Sequence, residues 1–262
     1  MKDLWDRLEA FARKNTPRSL RLRPGAAEKA IAAAEKKLKL TFPPAFRESL
    51  LAHDGQERSD EDDDEESTLF PWLPGCSPLA PLADIVAQWK DERDNEEDED
   101  EEPEAEGAIF DVLTHPRRIP IAGTAYWDGD NTYVDLFPTA KGTVGQVVMF
   151  TSECDMALLG SSLRDALETY LHALESGDWV FDPKAGGVRP KGKKSNDNAA
   201  EAFAAYAKKL AKSRKESPDA APKKAGGGKA AAAATPKPAK KRALSKEKKG
   251  GSVAQKKRDS ST

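Results

Sequence analysis

The segment that most resembles a metal-binding motif is the tetrapeptide Asp128-Gly129-Asp130-Asn131. Asp-x-Asp begins the calcium loop of an EF-hand, in which the sixth residue is Gly and the twelfth is Glu. This chain has Tyr133 and Thr139 at those positions, so the calcium motif is incomplete. Because Asp-Gly and Asn tolerate a positive φ, the segment predicts a hairpin turn, with weak ion binding as the alternative.

Histidine, cysteine and serine residues do not occur at the spacings of known catalytic motifs. The histidines lie at positions 53, 115 and 172, and the sequence contains no H-E-x-x-H, C-x-x-C or G-x-S-x-G motif. The two cysteines, Cys76 and Cys154, are expected to be free thiols. A catalytic triad can assemble from distant residues, so an enzyme stays an alternative. The sequence favours a protein without catalytic activity, cofactor or bound metal.

Three short apolar runs separated by turn residues predict the sheet of the folded region. They cover residues 119–121, 132–137 and 144–150, and they are rich in β-branched and aromatic residues. The segments between them contain Gly, Asp, Asn and Pro, which are typical of turns. Strand, turn, strand, turn, strand is the simplest arrangement, so we expect a small mixed or antiparallel sheet.

Apolar residues at helical spacing predict five helices around this sheet. They lie near residues 4–15, 25–38, 44–55, 82–89 and 163–174. The last is the most regular, and Ser162 with Asp165 has the spacing of a capping box. A short strand or a packed extension is expected at 179–181. The predicted fold class is therefore α+β, with helices flanking the sheet, over a domain of residues 1–182.

The net charge of -3 hides a strong charge asymmetry along the 262 residues. Residues 1–182 contain 19 Lys+Arg and 39 Asp+Glu, whereas residues 183–262 contain 23 and 6. An asymmetry of this size is typical of an interaction tail attached to a folded body. Two acidic runs, near 57–67 and 91–107, are too highly charged to bury surface, so we expect disordered insertions there.

Residues 183–262 are rich in Lys, Ala, Gly and Pro and predict a disordered basic tail similar to those of linker histones. Within this tail, residues 197–215 predict a short basic helix. Nonspecific contact with nucleic acid is one interpretation, and its candidate residues are Lys208, Lys209, Lys212, Arg214, Lys240, Lys241 and Arg242. Screening of the chain's own acidic runs and the absence of any role are the alternatives.

Trp127 is the aromatic residue best placed to bind a protein partner. The other tryptophans of the folded region are expected in the core, because large aromatic side chains are usually buried. Trp127 adjoins a turn, where burial is harder, and it lies beside Asp128 and Asp130. Together with Asp62, Asp63 and Asp64 of the first acidic run, these residues predict an acidic surface for a basic partner.

The beginning of the sequence lacks the apolar run of a signal peptide. No stretch approaches the roughly 18 consecutive apolar residues of a transmembrane helix. We therefore expect a cytoplasmic protein without membrane attachment, associated with the nucleoid if the tail binds DNA. The sequence leaves the oligomeric state open.

A series of short motifs runs through residues 18–182. They are LTFPPAF at 40–46, the segments 50–55 and 69–73, the helix at 79–89, Ile119-Pro120-Ile121, Trp127-Asp128-Gly129, Asp135-Leu136, Gly142, Gly145-Gln146-Val147-Val148 and the helix after Ser161. Their order and spacing resemble the SUKH superfamily, the Smi/Knr-type domain. The resemblance implies an α+β protein-binding domain without catalysis. Bacterial members look like immunity proteins that neutralise toxins, and fungal members act as regulatory scaffolds in cell-wall synthesis.

The sequence therefore predicts a non-enzymatic protein-binding module, a bacterial immunity or regulatory protein whose partner is a toxin or another protein. The alternative is a nucleic-acid-associated adaptor that acts through the basic tail. Because the two activities would use different segments, one chain could combine them.

Overall fold

The computed structural model describes residues 1–57, 69–94, 104–151, 155–193 and 198–216. Most of the two acidic runs and the tail from residue 217 onward therefore lie outside the described residues. So do six of the candidate site residues, Asp62, Asp63, Asp64, Lys240, Lys241 and Arg242, and also Cys154. No helix among the described residues is long and apolar enough to cross a membrane.

Six helices and eight strands make up the described chain, which confirms the α+β class. The helices are α1 Lys2–Asn15, α2 Glu28–Leu38, α3 Pro44–Ala52, α4 Leu82–Asp94, α5 Leu163–Glu175 and α6 Ala199–Glu216. The strands are β1 Ala105–Glu106, β2 Ile109–Phe110, β3 Arg118–Ala122, β4 Asn131–Asp135, β5 Gln146–Phe150, β6 Met156–Gly160, β7 Trp179–Asp182 and β8 Gly187–Pro190. Both ends of the second acidic run carry secondary structure, because α4 reaches Asp94 and β1 begins at Ala105.

The central sheet is an antiparallel meander in the order β3-β4-β5-β6. The three predicted strands form it together with β6, which was not predicted. Residues 156–160 read Met-Ala-Leu-Leu-Gly, a composition that lacks β-branched residues and favours a helix. Pairing with β5, for example of Val148 with Leu158, overrides that local preference.

Alternate residues of the meander face the helices and build the main core. Ile119, Val134, Val147 and Leu159 are buried on this inner face, together with apolar residues of all six helices. The strongest contribution comes from α5, whose predicted apolar stripe is buried throughout. Its predicted cap is present, since the Ser162 hydroxyl accepts a hydrogen bond from the Asp165 amide at 3.1 Å.

The opposite, outer face of the meander is also covered. Tyr133, Val148 and Phe150 point to this face and form a small second core with Ile109 of β2. The β1–β2 hairpin thus covers part of the sheet that the helices leave open. Burial on both faces explains why β3, β4 and β5 contain no exposed residue.

Beside the second core, a buried ion pair spans three strands of the outer face. Arg118 pairs with Asp135 across β3 and β4, and Asp135 pairs with Gln146 across β4 and β5. The Arg118 Nε atom lies 3.6 Å from Asp135 Oδ1, and both side chains are fully buried. Gln146 donates to Asp135 Oδ2 at 2.9 Å, while Arg118 donates to the Phe110 carbonyl at 2.8 Å. The pair therefore ties the β1–β2 hairpin to the sheet.

A second buried carboxyl group comes from the end of α4. Glu92 accepts a hydrogen bond from the Tyr133 hydroxyl at 3.1 Å, and burial raises the pKa of both groups. Burial also lowers the pKa of Arg118, and the neighbouring Asp135 opposes that shift. This polar cluster was not predicted, because charged residues are expected at the surface.

The folded part of the chain continues past the predicted domain boundary at Asp182. That boundary falls inside the β7–β8 hairpin, and α6 forms where a short basic helix was predicted. Phe203 of α6 is fully buried between the rings of Tyr170 and Trp179. This long-range aromatic contact extends the domain to include α6.

Replacing Arg118 by Met should leave the Asp135 carboxylate buried without its cation. We expect the free energy of unfolding to fall by about 3–5 kcal/mol, as for other broken buried pairs. The matched control is Arg117→Met, because Arg117 is the adjacent residue and is exposed. That control should stay within about 0.5 kcal/mol of wild type. Urea unfolding of both variants measures the difference, and equal losses of stability would contradict a structural role for the pair.

Candidate protein-binding site

The loop of residues 123–130 joins β3 to β4 and carries three of the candidate residues, Trp127, Asp128 and Asp130. We call it the aromatic–acidic loop. The predicted turn placed positive φ values at the Asp-Gly and Asn positions. In the structure the positive value belongs to Trp127, with φ of 57°, and Gly129 does not adopt one. The connection is also longer than a two-residue hairpin turn, so Asp128, Gly129 and Asn131 do not need the positive φ values that such a turn requires.

Trp127 holds the loop against the domain. Its indole ring packs over Gly123, where a Cβ atom would lie 2.4 Å from the ring carbon Cε3. The Trp127 carbonyl accepts a hydrogen bond from the Asn131 side chain at 3.1 Å. The residue is half-buried and packs against the main core. Trp127 is thus placed as the support of the loop, with only part of its surface available to a partner.

Both residues that flank Trp127 are exposed. The Tyr126 side chain is 66% exposed, and Asp128 is exposed as well. Asp128 is held in place by Thr124, whose hydroxyl donates to Asp128 Oδ1 at 2.6 Å and accepts from the Asp128 amide at 3.2 Å. An exposed tyrosine beside an oriented carboxylate is typical of a protein-binding surface. Tyr126 was not among the predicted residues, although its position next to the predicted tryptophan was a usable signal.

Asp130 lies at the other end of the loop and lines an acidic cleft. Its carbonyl accepts a hydrogen bond from the Ser77 hydroxyl at 3.1 Å. The cleft has a volume of about 310 Å³, and the charged residues that line it are Asp130, Asp155 and Glu201. Among the described residues that line the cleft there is no Lys, Arg or His. The electrostatic potential of such a cleft favours a cationic group.

The basic candidates form a separate set on α6. Lys208, Lys209 and Lys212 are exposed, and Arg214 is half-buried. Lys208 and Lys212 are four residues apart and therefore lie on one face of the helix. The structure thus brings the described acidic candidates, Asp128 and Asp130, together on one loop and the described basic candidates together on one helix.

Comparison with known families identifies the domain. A model described as the SMI1/KNR4 family (SUKH-1) matches residues 25–169, more than half of the chain. The chain belongs to the SMI1/KNR4 family. The predicted SUKH resemblance is confirmed, and the aromatic–acidic loop lies inside the matched region, whereas α6 lies outside it.

Curated relatives of this SMI1/KNR4 chain include three fungal proteins. The cell wall biosynthesis/cell cycle regulator smi1 of Schizosaccharomyces pombe is 28% identical over 205 residues, covering 72% of this chain and 39% of the relative. The glucan synthesis regulatory protein of Neurospora crassa is 26% identical over 213 residues, covering 68% and 39%. The KNR4/SMI1 homolog of Yarrowia lipolytica is 30% identical over 112 residues, covering 40% and 14%. The chain spans about two fifths of the first two relatives.

Reactive side chains of the SMI1/KNR4 domain are dispersed. His53 lies 3.0 Å from the Arg23 carbonyl, and His172 is exposed on α5. Burial raises the pKa of the Cys76 thiol to about 12, which disfavours the nucleophilic thiolate. Within the described residues, no group of three or more His, Cys, Asp or Glu is arranged to hold a metal ion.

His115 has the most unusual environment of the three histidines. Its ring stacks on Phe137 at 3.8 Å, and its Nδ1 accepts a hydrogen bond from the Arg117 amide at 3.1 Å. Burial, followed by repulsion from Arg118, lowers the pKa of His115 to about 4. The unfolded chain, with an ordinary histidine pKa of about 6.5, therefore binds more protons than the folded chain between these two values.

The low pKa of His115 predicts that its contribution to stability falls as the pH is lowered from about 6.5 to 4. His115→Asn should therefore lose less stability across this range than wild type does. His172→Asn is the control, because His172 is exposed on a helix surface. Urea unfolding at several pH values provides the comparison. Identical pH profiles for wild type and His115→Asn would contradict the assignment.

Proposed function

We propose that this SMI1/KNR4 domain is a non-enzymatic protein-binding module that holds a partner at the aromatic–acidic loop. The proposal is supported by the positions of exposed Tyr126 and oriented Asp128, two residues apart on a loop held to the main core by Trp127. A tyrosine contributes a large contact area at a small cost in conformational entropy. A loop that is already ordered lowers the cost of binding further.

The proposed partner is basic. Asp128 places a carboxylate two residues from Tyr126, and the acidic cleft adds the carboxylates of Asp130, Asp155 and Glu201. The acidic composition of residues 1–182 adds further negative charge. Such a field accelerates the approach of a positively charged partner and weakens as salt is added. Apolar contact with Tyr126 then favours a partner that presents aliphatic or aromatic groups beside its cations.

A regulatory partner is favoured over a toxin. Relatives in Schizosaccharomyces pombe and Neurospora crassa are named as regulators of cell wall biosynthesis, the cell cycle and glucan synthesis. We extend a regulatory role of that kind to this chain as part of the proposal. A toxin is the alternative partner, which the SUKH resemblance implies for bacterial members. Both would be proteins, and identification of the bound protein separates them.

Tyr126→Ala should weaken partner binding at least about tenfold, as truncation of a central aromatic side chain does at other interfaces. Val144→Ala is the matched control, because Val144 is also apolar and is 62% exposed outside the loop. Full-length variants are immobilised and exposed to extract of the source cells, and retained proteins are quantified by mass spectrometry. Dissociation constants for the retained protein complete the test. Equal retention by wild type and Tyr126→Ala, with Val144→Ala unchanged, would reject the proposed site.

A second candidate function is nonspecific binding of nucleic acid through the basic C-terminal region. The observation that favours it is the set of exposed lysines on α6, namely Lys208, Lys209 and Lys212. Their position on an ordered helix, ahead of further Lys and Arg residues in the sequence, suits contacts with a phosphate backbone. This activity would not compete for the aromatic–acidic loop.

Replacing Lys208, Lys209 and Lys212 by Ala should reduce the salt dependence of DNA binding. The slope of log K against log salt should become shallower by about 0.9 for each phosphate that the variant no longer neutralises. Alanine at Lys29, Lys36 and Lys37 is the control, because these residues are exposed on α2 and the change in charge is equal. Fluorescence anisotropy with duplex DNA measures both. Absence of DNA binding by full-length protein at low salt would eliminate the candidate.

A further inference from the structure

Helix α6 lies outside the region matched by the family model, and yet it packs into a groove of the domain. The groove is formed by Gly75, by strand β6, and by the rings of Tyr170 and Trp179. We call it the α6 groove. Because α6 occupies the groove, the side chains of α6 show which groups the groove accommodates.

Two aromatic residues of α6 fix it in the groove. The Phe203 ring is fully buried, with its centroid 5.9 Å from Tyr170 and 5.8 Å from Trp179 in edge-on contacts. Tyr206, three residues later on the same helix face, lies 6.4 Å from Trp179. Its hydroxyl donates to Asp178 Oδ2 at 3.0 Å. The groove therefore recognises two aromatic rings at a helical spacing of three.

Small residues let the start of α6 approach the domain closely. Ala199 and Ala200 are buried. A Cβ atom at Gly75 would lie 2.8 Å from the Ala200 amide nitrogen, so this position has no room for a side chain. The combined pattern is two adjacent small residues, then Phe at position five and Tyr at position eight, counted from Ala199. Beyond these contacts, α6 presents mainly exposed residues such as Lys208 and Lys209.

We propose that the α6 groove is a second protein-binding surface, which α6 blocks in the free protein and which a partner helix with the same small-small-x-x-aromatic-x-x-aromatic pattern occupies. Recognition of an amphipathic helix in a groove is a common mode of partner binding. The groove already holds a helix with this pattern, and that complementarity defines the occupant. The inference rests on the proposed protein-binding role of the domain. It uses none of the residues Tyr126, Trp127 and Asp128, although Gly75, β6 and the start of α6 also line the acidic cleft beside Asp130.

The covalent attachment of α6 makes the groove self-inhibited. A tethered helix competes at an effective concentration on the order of millimolar, so an external helix gains access only when α6 is weakened or outcompeted. The apparent affinity of wild type for the partner is the intrinsic affinity of the open groove multiplied by the small fraction of molecules in which the groove is open. Weakening α6 should therefore increase binding of an external helix.

A fluorescent peptide with the sequence of residues 198–216 is the probe, and full-length protein is the receptor. We expect saturable binding to the Phe203→Ala protein and at least about tenfold weaker binding to wild type, whose own helix fills the groove. A peptide carrying the same Phe203→Ala change should not bind either receptor. Cooperative thermal unfolding of the variant shows that the receptor is folded. Failure of the wild-type peptide to bind a folded variant overturns the proposal.

A glycine pair gives a second measurement that does not depend on Phe203. Gly75 and Gly177 have nearly equal positive φ values of 76° and 74°, so alanine introduces similar backbone strain at both. Only Gly75 touches α6, whereas a Cβ atom at Gly177 meets nothing within 4 Å. In full-length protein, hydrogen exchange of α6 amides should be faster in Gly75→Ala than in Gly177→Ala. Equal exchange in the two variants would show that α6 is not held by the groove.

A second copy of the chain is the other possible occupant, through exchange of α6 between molecules. Mass measurement of wild type over a range of concentrations detects it, because exchange produces dimers. A monomer that excludes the peptide supports the proposal. Dimers in which α6 fills the partner's groove would overturn it. Unchanged cell-extract binding by Tyr126→Ala, with peptide binding by Phe203→Ala intact, would mean failure of the loop alone. Weakened cell-extract binding by Tyr126→Ala, with no peptide binding by Phe203→Ala, would mean failure of the groove alone.

Discussion

Strands β3, β4 and β5 of the meander are buried on both faces, and the row of Arg118, Asp135 and Gln146 holds the outer cover in place. These residues are cross-strand neighbours, so a shift of one residue in strand pairing would move the charges to the inner, apolar face. A buried pair is costly to form and more costly to leave incomplete. The pair therefore specifies register and fixes the β1–β2 hairpin, and the loops at the ends of the strands extend from a rigid base.

The two proposed binding surfaces depend on that rigidity in different ways. The aromatic–acidic loop leaves β3 and enters β4, and Trp127 joins it to the main core. Tyr126 and Asp128 can therefore be presented to a partner in a fixed orientation. The α6 groove uses β6 and the end of α5, which belong to the same core but are covered by the chain's own helix. One surface is open, and the other becomes available only when α6 leaves.

Local sequence patterns were sufficient for much of this fold. The β-branched runs of β3 to β5 and the apolar stripe of α5 report burial directly, because each side chain's face follows from the period of its element. Strand β6 could not be predicted in this way, since Leu158 and Leu159 favour strand only through pairing with β5. Arg118 and Asp135 were equally unpredictable, because their burial depends on each other. The helical pattern around Phe203 was visible in the sequence, but the contact of Phe203 with Trp179 is long-range. The predicted domain boundary at Asp182 therefore lies before α6.

In the candidate site, the Asp residues of the loop were identified from the sequence. The separate roles of Tyr126 and Trp127 were not, because they depend on the backbone geometry around Gly123.

The proposed function requires a protein partner to bind at the aromatic–acidic loop. Hydrogen exchange measured across the full-length protein, with and without the protein captured from cells, tests it most directly. We expect slower hydrogen exchange at residues 123–130 when the partner binds. Exchange in α1 and α2 should be unchanged, because these helices contribute no residue to the loop or the acidic cleft. Protection confined to α1 and α2, with exchange in residues 123–130 unaltered, would contradict it.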